Sequence, residues 1–452
     1  MLIMLNINKR LISIVSMLIV STMVFGLFTG CSGKAPSDGN STNDTSSDSG
    51  EKVKISFTWW GDTARNAIYN KICDLFETAN PNIKVDRPFG SWAQYWDKLA
   101  TQIASGSAPD IIGMHQDYVS EYSSRKALLD LKPYVDSGIL KTSDIPESAY
   151  KGGFISGKLY MIPQGIVTSG YLYNTATFDK LGIEYPKMDW TWEEFAQKAI
   201  EIKKVADSKN IKMWGSSDDS GLLMPTFNYW VRTNGQVLFT DEGKIGFTQD
   251  VAENWFIFWK NLRDKNAIPD ASTNTEYANL PIEQNLFSTG KVGIASLPAN
   301  QLWLYQNLAK SGNINIVRIP HLAGKANGEY VEGSFLSITA ASKHPKEAAK
   351  FINFFINNTD AQRTFKLEQG VPATTTAVQA VTPDMTPVQL RTIKFVNDTL
   401  KIAGNAPYAP AGVAEIRTDF TNVASEVAFN KITPREGAIK FIKQCNDVLS
   451  RK

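Results

Sequence analysis

"VKISFTWWGDTARNAIYNKICDLFETANPNIKV", residues 53–85, decides the class of fold. Residues 53–60 form a β-branched and aromatic run of strand type, closed by Gly61 and Asp62. Ile68, Ile72, Leu75 and Phe76 then recur at helical spacing until Asn80-Pro81 breaks the pattern, and a second strand runs through Ile83 and Val85. Strand, helix and strand within about thirty residues make the unit of a parallel α/β sheet. A second unit follows, in which Ser91 and Gln94 read as a capping box for the helix of "SWAQYWDKLATQIASG", and residues 110–113 read as a buried strand. Two apolar strands flank a polar turn in residues 158–182. Thr191 and Glu194 cap a helix that turns Phe195, Ala199 and Ile202 inward. "SFLSITAAS" is a strand and "PKEAAKFINFFIN" a helix, and the last helix starts with Thr433 as N-cap, Pro434 in the first turn and Glu436 closing the box. Strands and helices alternate throughout, with no internal repeat.

The first thirty residues stand outside this fold. Lys9 and Arg10 precede an apolar stretch from Leu11 to Leu27, which ends in "LFTGC", so residues 1–30 read as an export signal. The small Thr29 and Gly30 directly before Cys31 look like a lipobox, the bacterial lipoprotein signal in which the cysteine is lipidated, although Phe28 stands where that pattern has Leu. Residues 32–52 carry no large apolar side chain and cannot bury enough surface to offset their ordering entropy, so 31–52 is expected to be a disordered tether. The body of about 400 residues exceeds what one hydrophobic core supports and calls for two lobes.

Composition excludes several classes of function. Removal of Lys9 and Arg10 from the 47 basic residues leaves as many as the 45 acidic ones, so the mature chain is formally neutral and lacks the basic stripe of a nucleic-acid binder. His115, His321 and His344 are the only histidines and there is no CxxC or HExxH, which makes a catalytic zinc improbable. Cys73 and Cys445 lie in helical patterns at opposite ends of the body and are equally readable as one disulfide or two buried thiols. No cofactor is implied.

Seven blocks, in order, now carry a resemblance: "TWWGD", "ANPNIKV", "KLATQIASGSAPDII", "KLYMIPQGIVTSGYLYNTATFDKLGI", "TWEEF", "FSTGKVGIA" and "EGSFLSITAASKHPKEAAKFINFF". The chain resembles the extracellular solute-binding proteins (family 1) of carbohydrate ABC importers, the group that includes maltose-binding protein. That resemblance implies an α/β, two-lobed periplasmic-binding-protein-like fold of the class II type, with a ligand cleft between lobes joined by crossover hinges. It implies crossings near 163–168, 316–319 and 372–374, an N-terminal lobe of 53–163 and 320–371, and a C-terminal lobe of 167–316 and 374–452. It further implies a monomer that hands a mono- or oligosaccharide to ABC permease subunits at the outer face of the membrane, held there by the lipid anchor on Cys31.

In open α/β sheets ligands lie beyond the carboxyl ends of strands, so the residues just after each strand are the candidates. Trp59 and Trp60 are adjacent in an extended run and must face opposite ways. Comparison with the family pattern favours Trp60 for the cleft. Asp62 and Thr63 follow it, and Met114, His115, Gln116 and Asp117 follow another strand. Sugars suit flat apolar faces paired with carboxylates that accept from vicinal hydroxyls, which makes Asp62 and Asp117 the acidic candidates. An Asp after a strand is equally a turn former or a helix N-cap. By resemblance the remaining candidates are Gln164 and Thr168 at the first crossing, Asn228 and Trp230 in "NYWVRTNG", Asn300 and Trp303, Gly333 and Ser334, and Arg417, with Tyr408 as a neighbouring aromatic. Trp230 is equally readable as core. Thr63 and Val167 replace a basic and an acidic residue of the maltose-binding pattern, so its sugar does not carry over.

Rival readings are a secreted glycoside hydrolase, which would need Asp62 and Asp117 as a catalytic pair, or the same fold carrying a polyol phosphate or a polyamine. The absence of GxSxG, P-loop and GxGxxG motifs argues against catalysis, and the Trp-rich strand ends favour sugars.

Overall fold

The computed structural model describes residues 52–451 apart from 279 and 405–408, so the signal, Cys31 and its tether, and Tyr408 lie outside the described residues. The chain forms strands β1 (Val53–Trp60), β2 (Ile83–Asp86), β3 (Phe89–Gly90), β4 (Ile111–His115), β5 (Phe154–Ile155), β6 (Lys158–Leu159) and β7 (Ile162–Val167). It continues through β8 (Ser169–Asn174), β9 (Trp214–Ser216), β10 (Val292–Pro298), β11 (Ile314–Arg318), β12 (Glu332–Ile338) and β13 (Val371–Pro372). A first sheet has the order β13-β7-β12-β4-β1-β2, with β3 also paired to β1, and a second has the order β11-β8-β10-β9. The opening unit behaves as expected: β1 runs parallel to β2, β3 and β4. The long crossover strand β12 is antiparallel to both β4 and β7.

The helix Thr63–Ala79 covers β1 with Tyr69, Ile72, Cys73 and Phe76. Trp59 faces it, stacked on Tyr69 at 5.1 Å, while Phe57 packs on Phe351 at 5.0 Å. A second cluster is built from Trp192, Phe195, Trp255 and Trp259 around the helices Trp192–Ser208 and Gln249–Asp264, while Leu172, Val292, Ile314 and Ile316 of the second sheet join the cluster of the first. Cys73 and Cys445 sit buried and free in these separate cores, which resolves their reading as two thiols. Both carboxyl-closed capping boxes, Thr191/Glu194 and Thr433/Glu436, are formed. The one anticipated at Ser91 is not: its hydroxyl bonds the Gln94 side chain at 3.0 Å and leaves the helix backbone uncapped.

Three passages link the sheets. The first is a single residue, Thr168, between β7 and β8. The second begins after β11, but His321 still bonds back to Trp192 and Tyr330 packs in the second core, so the first sheet resumes only at Glu332. In the third, the helix Thr375–Val381 still packs on the helices of the first lobe and the helix Pro387–Leu400 packs on β11 and its neighbours, so the chain passes over after 381, later than 372–374. Among the described residues no helix is long and apolar enough to cross a membrane.

Asp110 locks the sheet behind the cleft. Its carboxylate accepts from the Ser56 amide at 2.8 Å, the Ser56 hydroxyl at 2.9 Å and the Ser342 hydroxyl at 2.6 Å, tying β1 to the segment that follows β12. Asp110→Ala leaves these donors without their acceptor and should lower unfolding stability by about 1–3 kcal/mol in a denaturant titration, without altering the cleft residues.

Candidate functional site

A cavity of about 380 Å³ opens between the carboxyl ends of the first sheet and the second lobe. Its first wall is aromatic. Trp60, at the end of β1, meets Trp92 edge-on at 5.1 Å and packs against Tyr95 at 5.4 Å and Trp96 at 5.6 Å. Gly113 makes room for this arrangement, because a Cβ there would stand 3.0 Å from the Trp60 ring. Trp92 opens the next helix and remains 41% exposed, its ring against His115 at 5.5 Å. Trp60 therefore faces the cleft, and Trp59, fully buried, faces the core.

Next to the aromatic wall lies a polar arc. β4 ends at His115, whose ring caps the helix Gln116–Ser124 by accepting from the Asp117 amide at 3.3 Å. Asp117 thus belongs to the first helical turn after the strand, which runs on to His115, two residues beyond Gly113 where the sequence reading ended it. Its carboxylate reaches across the cleft to the Arg417 guanidinium at 2.5 Å, and Arg417 stands on the helix Val413–Ala428 of the second lobe. Burial acts to raise the Asp117 carboxyl, but the His115 ring and the Arg417 guanidinium outweigh it and hold the group at about 2. The Ser334 hydroxyl is fixed from behind by a buried chain: Gln164 donates to it at 2.6 Å, Tyr69 donates to Gln164 at 2.9 Å, and Gln369 donates to Tyr69 at 2.6 Å. Burial pushes the Tyr69 hydroxyl up, so it stays protonated and keeps its role as donor.

Trp60, His115, Gln116, Asp117, Asn300, Gly333, Ser334 and Arg417 all line the cavity. The other expected residues do not. Asp62 spends its carboxylate on the Arg65 amide at 2.9 Å as an N-cap, and Thr63 is exposed beside it. Met114 points away from the cleft into the cluster behind β4, as strand alternation requires once His115 faces outward. Gln164 acts through Ser334, and Thr168 is buried within the crossing. Asn228 is fully buried, and Trp230 belongs to the second core, where its indole donates to Val251 at 3.0 Å. Trp303 packs on a core cluster next to Asn300 and does not line the cavity.

Several lining residues escaped the sequence reading. Arg65 stands one turn beyond Asp62, bonded to Glu368 at 2.8 Å and to the Trp60 carbonyl at 3.1 Å. Trp92 continues the apolar stripe of its helix, with Tyr95, Trp96, Leu99 and Ile103, so spacing alone reads it as core and gives no sign of the cleft. Glu332 and Ser169 begin β12 and β8 and meet across the hinge at 2.8 Å. The turn containing Met224 and Pro225 also lines the cleft, and no spacing in the sequence distinguishes it.

The Asp117–Arg417 bridge has a defined pH range. A carboxyl whose folded value is depressed contributes above its unfolded value, near 4, and that contribution is lost as pH falls through about 2. An NMR titration should find Asp117 ionised down to about pH 2, and Arg417→Ala should move its midpoint upward. An unmoved midpoint would mean that the guanidinium does not act on it.

Comparison with known proteins gives a consistent picture. Residues 60–362 match the family described as bacterial extracellular solute-binding protein. A family 1 extracellular solute-binding protein of Alicyclobacillus acidocaldarius is 30% identical, with a TM-score of 0.72 covering 89% of this chain and 100% of that one. An ABC substrate-binding protein of Listeria monocytogenes, solved with cycloalternan, is 22% identical and shares the fold with a TM-score of 0.73 over 89% of this chain and 100% of that one. The maltooligosaccharide ABC transporter solute-binding lipoprotein of Streptococcus pneumoniae is 25% identical over 376 residues, 79% of this chain and 81% of that protein. With two sheets hinged about a polar and aromatic cleft, and a family match that spans most of both, this chain belongs to the bacterial extracellular solute-binding proteins.

Proposed function

We propose that the protein captures a mono- or oligosaccharide between its lobes, closes on it and delivers it to the permease of an ABC importer. The observation that carries this reading is the pairing of the Trp60–Trp92 wall with the arc of His115, Gln116, Asp117 and Ser334 in one cleft. Indole faces cover the C–H surface of a sugar ring, and fixed carboxylate, amide and hydroxyl groups take its hydroxyls. A volume of about 380 Å³ falls within the range of ligand pockets. The maltooligosaccharide relative of Streptococcus pneumoniae supports the same class of ligand.

Binding proceeds here without chemistry. A glycosidase needs two carboxyl groups free to act on one bond, whereas Asp62 is committed to a helix cap and Asp117 to Arg417. A phosphorylated ligand would call on a free guanidinium, and both arginines of the cleft are ion-paired. Lipidation of Cys31 would hold the receptor at the outer membrane face, and a separate ATPase would supply the energy for import.

Thermal shift against an oligosaccharide panel, with calorimetry on each hit, tests the assignment. A true ligand at a thousandfold excess over Kd should stabilise the protein by about 4 kcal/mol. Trp60→Ala and Trp92→Ala should each weaken that ligand roughly ten- to hundredfold, as loss of a central aromatic contact does elsewhere. Stabilisation by a phosphate alone, or full affinity in both variants, would overturn the reading.

A further inference from the structure

The charges of the cleft do not balance. Arg65 is paired with Glu368 at 2.8 Å and Arg417 with Asp117 at 2.5 Å. Glu332, which also lines the cavity, forms no ion pair with any described Lys, Arg or His. Its carboxylate accepts the Ser169 hydroxyl at 2.8 Å, and the Tyr330 hydroxyl is set against it. The His115 ring acts on it only through space. Burial raises the carboxyl of Glu332 above the usual range, with the two hydroxyls pulling the other way. Neutral hydroxyls satisfy lone pairs but not charge, and each carboxylate oxygen still has capacity to accept. A partly buried carboxylate without a counter-charge is unfavourable, so its acid form is favoured, and an incoming cation that hydrogen-bonds to the ionised group stabilises the carboxylate instead.

The surroundings point the same way. Behind Tyr330, the fully buried Asn228 amide lies against the tyrosine hydroxyl, with neither its nitrogen nor its oxygen in a well-formed hydrogen bond. The hinge end of the cleft thus gathers the Glu332 carboxylate and the Ser169 and Tyr330 hydroxyls, with the Asn228 amide behind them, and among the described residues no Lys, Arg or His is ion-paired to Glu332. The Trp60–Trp92 wall belongs to the same cavity and suits a ring, so the cation is best carried on a sugar.

We infer that the cleft selects an amino sugar, a glycan whose free protonated amino group docks on the Glu332 carboxylate while its ring lies on the tryptophan wall. This rests on the sugar reading above. The same ammonium chemistry could arrive on a linear polyamine, which has no ring to stack. Glu332 is then the residue that sets specificity, and Asp117, already neutralised by Arg417, is left to accept hydroxyls.

Calorimetry at pH 7 with the purified protein separates these cases, using a glucosamine dimer and trimer, their N-acetylated forms, cellobiose and spermidine. The free amino sugars should bind at least tenfold more tightly than their N-acetylated or hydroxyl counterparts. Glu332→Gln, which keeps the shape of the side chain and an acceptor for Ser169, should bring that ratio to within about twofold, with an unchanged melting temperature reporting an intact fold. Equal or tighter binding of the neutral sugars by the wild-type protein overturns the inference and leaves the sugar reading standing. Binding of spermidine alone overturns both. Should Glu332→Gln fail to fold, the wild-type ratio decides by itself.

Discussion

Val167 pairs with Glu332 in the first sheet, and two residues later Ser169 pairs with Pro298 in the second. One residue, Thr168, therefore spans the sheets at this passage, and a trans peptide unit advances the chain by only about 3.8 Å. So short a link keeps the ends of β7 and β8 together while leaving the bodies of the lobes free to rotate about them. The cleft forms where it does because the strands of the first sheet release their carboxyl ends beside this link. The Ser169–Glu332 hydrogen bond crosses at the same place, so the hinge and the floor of the cleft are built from the same residues.

From that constraint the division of labour follows. The first lobe supplies a rigid wall, with Trp60 wedged among Trp92, Tyr95 and Trp96 and allowed close to β4 by the missing side chain of Gly113. It also supplies hydrogen-bonding groups fixed from behind, such as Ser334 on the Gln164–Tyr69–Gln369 chain. The second lobe brings Arg417 across to Asp117, the ion pair that ties the two faces together. Within this cleft the Asp117 carboxylate is compensated by Arg417, whereas Glu332 is held by hydroxyls and forms no ion pair among the described residues.

The fold was readable in the chain because its signals are local and periodic. Residues 53–85 announce strand, helix and strand, and Thr191/Glu194 and Thr433/Glu436 announce helix starts, all through contacts within a few residues. The site was readable only in part. Residues at and just after strand ends were the ones sought, and Trp60 and His115 to Asp117 do line the cavity, but a shift of one or two positions separates a lining side chain from a buried one, as Met114 shows. Asp62 illustrates competition: a helix N-terminus claimed the carboxylate, and Arg65 one turn later reached the cleft in its place. Glu332 and Ser169 meet from strands 163 residues apart, a contact that no window on the sequence contains.

The most direct test of this account is a crystal structure of the protein with its tightest-binding oligosaccharide. A sugar ring should lie against Trp60 and Trp92, with hydroxyls in hydrogen-bond reach of Asp117 or Ser334 and both lobes in contact with the ligand. A sugar found elsewhere, for instance in the surface cavity lined by Trp214 and Tyr277 at the far end of the second sheet, with the interlobe cleft untouched, would contradict it.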